Sequence, residues 1–160
     1  MTTQSPWLGG CQCGAVRYEM DAADIMTVYC CHCRECRRQA ASAFGISVIL
    51  PRSAFRLVRG TLHTWQRRSD RGTVNRGSFC SACGVRMFHD GGADRPEISL
   101  KGGSLDDVER LHPIGHIWTA RALSWVRWDD GLLCYSGQPP DYEALQRAYR
   151  TLLKASHILP

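Results

Sequence analysis

Apolar and polar residues alternate in short runs along much of this chain, and the runs are separated by glycine, proline and aspartate. Residues 16–20, Val-Arg-Tyr-Glu-Met, set the period-two pattern, and residues 25–29 follow. Then come 44–50, closed by Pro51; 55–58, closed by Gly60; and 62–66. Residues 74–79 and 85–89 flank a Cys-x-x-Cys as the arms of a hairpin would, and 97–101 run into Gly102-Gly103. Side chains that alternate between two faces, rich in β-branched and aromatic types, predict an antiparallel, mostly-β domain.

Two stretches switch to helical spacing. Residues 33–43 predict a short helix with Cys33 and Cys36 on its opening turn. Tyr142, Leu145, Tyr149, Leu152 and Leu153 keep to one side of a C-terminal helix over 142–153, with Asp141 as its N-cap. That helix reads as a core element without chemistry. Leu132-Leu133-Cys134-Tyr135 reads as a buried strand, where a cysteine is inert.

Length bounds the organisation. The 160 residues, 44% hydrophobic and 22% charged, suffice for one domain with a core and fall short of two, so residues 1–160 are expected to form a single domain. No apolar run approaches the roughly 18–20 residues of a membrane span. The opening Met1–Pro6 has neither the basic start nor the apolar stretch of a secretory signal, which predicts the cytoplasm. In a reducing compartment nine cysteines point to metal or catalysis rather than to disulfides. Eight of them fall into tight groups: Cys11 with Cys13; Cys30, Cys31, Cys33 and Cys36; Cys80 with Cys83. Cys134 stands apart.

The formal charge of +5 assumes neutral thiols. Seven zinc-bound thiolates and two Zn²⁺ would bring it to roughly +2. With no long run of Lys or Arg, neither a nucleic-acid face nor a membrane surface is expected, while self-association into a homo-oligomer stays open.

Gly10-Cys11-Gln12-Cys13-Gly14 and Phe79-Cys80-Ser81-Ala82-Cys83-Gly84 read as two halves of one tetrahedral Zn²⁺ site. Four thiolates suit a borderline-soft d¹⁰ ion and leave it no open position, so this site is structural. The glycine after each half lets the chain turn with positive φ, so that backbone N–H groups reach the sulfurs.

Cys31-x-Cys33-x-x-Cys36 brings three more sulfurs within reach of one ion, with no fourth ligand paired to them in the sequence. Three protein ligands plus an exchangeable position is the catalytic arrangement for zinc, possible lability included. Three thiolates make a weak Lewis acid and a good holder of a soft sulfur ligand, so a thiol substrate is expected. Arg34, Arg37 and Arg38 can offset the thiolate charge or grip a carboxylate. Cys30 and His32 alternate away from the metal face. His116, with His32 as the alternative, is the candidate proton carrier.

The stretch from Gly10 to Tyr18, then Cys31-His32-Cys33-x-x-Cys36-Arg37, then Phe79-Cys80-x-x-Cys83-Gly84, resembles the glutathione-dependent formaldehyde-activating enzyme family, which includes the centromere protein V domain. His116-Ile117 and Trp125 resemble its C-terminal part more weakly. Ala40-Ala41 stands where many relatives carry a glycine. The resemblance implies a β-tent of small antiparallel sheets. It also implies a structural zinc on Cys11, Cys13, Cys80 and Cys83, and a catalytic zinc on Cys31, Cys33 and Cys36. The implied activity is that of a zinc-dependent carbon–sulfur lyase or thiol–aldehyde condensing enzyme, resembling S-(hydroxymethyl)glutathione synthase. Its partner would be a small thiol such as glutathione, or a thiol–aldehyde adduct. The alternative is a zinc-ribbon-like binding module with two structural metals and no catalysis.

Overall fold

The computed structural model describes residues 6–68, 72–92 and 95–155. Eleven strands are seen among them. These are β1 (Trp7–Gly10), β2 (Arg17–Met20), β3 (Thr27–Cys31), β4 (Gly45–Pro51), β5 (Phe55–Arg59), β6 (His63–Arg68), β7 (Val74–Phe79), β8 (Arg86–Asp90), β9 (Glu97–Lys101), β10 (Gly115–Ile117) and β11 (Leu133–Cys134). Helix α1 (Arg34–Ala40) follows β3, and α2 (Glu143–Ala155) is C-terminal. The architecture is mostly β, as the alternation predicts.

A three-stranded sheet runs β1-β2-β5, and an eight-stranded sheet runs β11-β10-β3-β4-β9-β8-β7-β6. Pairing is antiparallel except at one end, where β10 lies parallel to both β3 and β11. Alternation decides what each face of the large sheet carries. Val28, Val48, Leu100 and Phe88 stand opposite one another across β3, β4, β9 and β8, and all are buried. They meet the small sheet: Tyr18 packs on Phe55 at 5.0 Å, and Phe55 meets Phe88 edge-on at 5.2 Å.

The residues between them face the other way. Tyr29, Ser47 and Lys101 form a second row across β3, β4 and β9. This polar side is partly roofed by α2, whose Leu145 and Tyr149 are buried and which packs on β3. Asp141 accepts a hydrogen bond from the Glu143 N–H at 2.9 Å, as an N-cap should.

The expected 33–43 helix is shorter at both ends. The Cys33 sulfur caps it by accepting the Cys36 N–H, and Ala41 ends it in the left-handed region at φ 48. The Leu132–Tyr135 stretch is corrected too. Only Leu133 and Cys134 pair, at the sheet's edge, and both are exposed because no further strand covers them. Strands β1 and β10 carry no readable alternation in the sequence: β1 ends in two glycines, and β10 is three residues long.

Candidate metal centres and an adjoining cavity

Two loops that enter and leave the small and large sheets carry the first sulfur group. Cys11 sits after β1 and Cys80 after β7, and each donates its N–H to the carbonyl of a valine five residues on, Val16 and Val85, at 3.0 Å. Gly14 and Gly84 both turn at φ +76, donating back to the Cys11 and Cys80 carbonyls at 3.0 and 2.8 Å. A side chain at that φ is strained, which is why each half-site ends in glycine. The folded turns point the four sulfurs inward, all within 4.8 Å of one another. Cys11 Sγ lies 3.5 Å from Cys13 Sγ, and Cys13 Sγ lies 3.8 Å from Cys80 Sγ. Tetrahedral zinc with Zn–S near 2.3 Å needs sulfurs about 3.8 Å apart, so this cluster fits the ion. The Val16 N–H donates to Cys11 Sγ at 3.2 Å, supporting a thiolate there.

Cys31, Cys33 and Cys36 form the second group, with their sulfurs likewise within 4.8 Å of one another. Strand alternation aims Cys31 to the polar side of the large sheet, and the first turn of α1 brings Cys33 and Cys36 over it. The Cys33 thiol is held far below its usual value by hydrogen bonds from Cys31 and Cys36, while Cys31 is pushed far up by its bonds to Cys33 and Cys36. One negative charge is thus readily accommodated among three sulfurs. A soft divalent ion held by Cys31, Cys33 and Cys36 would displace those protons and let all three ionise.

The three sulfurs open onto a cavity of about 620 Å³. Its floor includes Tyr29, Ser47 and His89, and its walls include Ile117, Trp118 and Tyr142. Arg34 and Arg121 are exposed residues of its lining, and Arg67 is tied to Glu35 at 3.5 Å. Trp118 donates through Nε1 to Gln138 Oε1 at 3.1 Å; the Gln138 amide reaches the Tyr142 hydroxyl, which lies 3.5 Å from that of Tyr29. Burial drives the His89 imidazole down to about 3, with Lys101 adding to the effect, so it is neutral near pH 7. Its Nδ1 has no hydrogen-bond partner among the described residues.

The structure does not bring His116 to this cavity. Ile117 lines it, and His116, one residue earlier on β10, faces the opposite side of the sheet with Cys30 and His32. There His116 accepts or donates at Nδ1 to His32 Nε2, 3.0 Å away, and its Nε2 meets Asp130 Oδ2 at 2.8 Å. When His116 is neutral and donates its Nε2–H to Asp130, its Nδ1 accepts from His32 Nε2–H. Trp128 stacks on His116 at 4.9 Å and packs against His32 at 4.8 Å. This chain braces the backbone between Cys31 and Cys33 from behind.

Of the arginines singled out by their position among the ligands, Arg34 lines the cavity and Arg38 pairs with Glu35 at 3.5 Å. Tyr29, Ser47, His89, Trp118, Arg121 and Tyr142 carry no motif. His89 is the one with a readable signal, since alternation across β8 sets it opposite the core-facing Phe88. Tyr142 lines the cavity although its helix reads as core alone.

Comparison with known proteins gives one decisive match. The family model described as glutathione-dependent formaldehyde-activating enzyme covers residues 7–121, which include all seven clustered sulfurs. The chain belongs to this family. As a member of the glutathione-dependent formaldehyde-activating enzyme family, it has a formaldehyde-activating or glutathione-related function, and its two cysteine clusters are suited to zinc. It is also similar to a solved Rhodobacter sphaeroides protein, at 23% identity over 80% of this chain and 98% of that one, with a TM-score of 0.48. Among the described residues no helix is long and apolar enough to cross a membrane.

Proposed function

We propose that the chain is a zinc-dependent carbon–sulfur lyase that joins a small anionic thiol to an aldehyde, or releases it from the adduct. One observation carries this reading. The Cys31, Cys33 and Cys36 sulfurs gather at a cavity, and among the described residues no fourth protein ligand joins them. Zinc held by these three would favour a soft sulfur ligand and would acidify its thiol.

The chain's own residues do the remaining work. Arg34 and Arg121 bind the carboxylates of a thiol such as glutathione at the cavity mouth, with Arg67 held in place by Glu35. Tyr29, Trp118 and Tyr142 confine the substrate and exclude water. In the condensing direction the substrate thiolate attacks the aldehyde carbon. The C–S bond forms as the C=O π bond breaks, and the proton given up by the thiol ends on the new hydroxyl. His89 offers a neutral hydrogen-bonding imidazole to that oxygen. His116 and His32 act as positioning residues behind the ligand loop, not as groups that touch substrate. Cys11, Cys13, Cys80 and Cys83 hold a second zinc whose role is structural.

The test is to load the chain with zinc and mix glutathione with ¹³C-formaldehyde, following adduct formation by NMR. Wild-type chain should accelerate exchange between free and thiol-bound formaldehyde, and C33S should not. Equal exchange with wild type, C33S and no protein would rule the assignment out. A panel of other thiol–aldehyde adducts run in the same way defines the substrate.

A further inference from the structure

Lys101 ends β9 on the cavity side of the large sheet. It stands opposite Ser47 in the register, and Ser47 stands opposite Tyr29. Ser47 and Tyr29 line the three-sulfur cavity, and Lys101, beside Ser47 in the same cross-strand row, is only 8% exposed. Its ammonium nitrogen is buried without a hydrogen-bond partner among the described residues. A buried, unpaired cation is strongly unfavourable unless something nearby carries the opposite charge. Burial pushes the Lys101 pKa below its usual value and Arg86 adds to that, while the sulfurs of Cys36, Cys31 and Cys33 are the groups that favour its charged form. Three thiolates around a divalent ion carry a net charge of −1, the size needed to balance one ammonium.

We propose that Lys101 is a positioning residue for the second metal site, its buried ammonium serving as the fixed counter-charge of the Cys31, Cys33 and Cys36 thiolates. This rests on the reading that those thiolates bind a metal. A neutral loaded site holds the ion with three protein ligands where an anionic one would shed it more readily. It also admits an incoming thiolate that an uncompensated −1 centre would repel. No motif marks this lysine, because its relation to the sulfurs depends on the register of β9 against β4 and β3.

The experiment uses the full chain with its metals. K101M and K101Q remove the charge, and K101R keeps it. Each protein is titrated with a graded chelator while bound zinc per chain is measured. Each is also loaded with cobalt(II), and the sulfur-to-metal absorption is recorded. K101M and K101Q should weaken the second site by about 10–100-fold, as loss of an outer-sphere partner does. They should shift the cobalt spectrum of that site and leave the four-sulfur site as in wild type. K101R should stay closer to wild type than either. The proposal is overturned if the neutral variants keep wild-type affinity and spectrum, if both metal sites weaken equally, or if K101R loses as much as K101Q. A wild-type chain that binds only one metal would instead overturn the functional reading, and this inference with it.

Discussion

Two residues with side chains hold the backbone in the left-handed region among those described: Ala41 at φ 48 and Trp118 at φ 58. A Cβ there meets the following carbonyl, at a cost of about 1 kcal/mol. Ala41 is held because its N–H closes α1 onto the Arg37 and Arg38 carbonyls. Trp118 is held because its own N–H, and those of Thr119 and Ala120, bond to the carbonyls of Gly137, Tyr135 and Ser136. The two substitutions A41G and W118G relieve the same strain and should behave differently. A41G should gain about 1 kcal/mol and raise the melting temperature with turnover unchanged, since glycine is the preferred residue at a helix C-terminus. W118G should lose its gain with the half-buried indole contacts and cut turnover at least about tenfold by removing the cavity wall. Melting curves and initial rates on both proteins decide this. A stabilised, fully active W118G would mean that Trp118 does not confine substrate.

At the scale of strands, one carboxylate ties several together. Asp90 at the end of β8 is 1% exposed and receives Arg76 from β7 at 3.1 Å and Arg52, just beyond β4, at 2.7 Å. Burial alone would raise its pKa, yet the Arg76 and Arg52 guanidiniums and the Gly92 N–H hold it below its usual value. A carboxyl with a lower pKa folded than unfolded contributes stability that is complete above about pH 4 and lost as pH falls through the folded value. D90N should cost on the order of 3 kcal/mol at pH 7, leaving two half-buried arginines unpaired. It should also flatten the acid side of the stability profile, measured by urea unfolding between pH 2 and 7. A D90N profile parallel to wild type would remove Asp90 from that role. β4 and β9 were legible from β-branched and alternating apolar residues over five to seven positions, and β7 from its place as one arm of the hairpin around Cys80-x-x-Cys83. β10 was not, being three residues placed in parallel beside a strand more than eighty residues earlier. The same shortness hid the facing of His116. The sulfur groups were legible because their spacing is local, whereas the cavity of Tyr29, Ser47 and Trp118 exists only once distant strands are in register.

For the whole molecule, the two sulfur groups are unequal in what they join. Cys11 and Cys13 belong to the turn between β1 and β2 of the small sheet, Cys80 and Cys83 to the β7–β8 hairpin of the large one. A metal there bridges both layers, and structural zinc contributes on the order of 10 kcal/mol, comparable with the entire stability of a domain this size. Cys31, Cys33 and Cys36 lie within one β3–α1 segment and fasten nothing distant. C80S should therefore give an unfolded or strongly destabilised chain. C33S should melt within a few degrees of wild type while binding one zinc fewer, because serine still caps α1. Metal content and circular dichroism on the same samples separate these outcomes, and a folded, zinc-replete C80S would refute the structural assignment.

The large sheet stops at β6 on one side and β11 on the other. β6 finishes in Gln66, Arg67 and Arg68, and β11 has two residues. An open strand invites a neighbour's backbone to dock along it, unless positive charge repels that neighbour or brevity denies it a template. Here one border is cationic and the other is too brief to copy. Strand addition along the large sheet is therefore disfavoured at both of its borders.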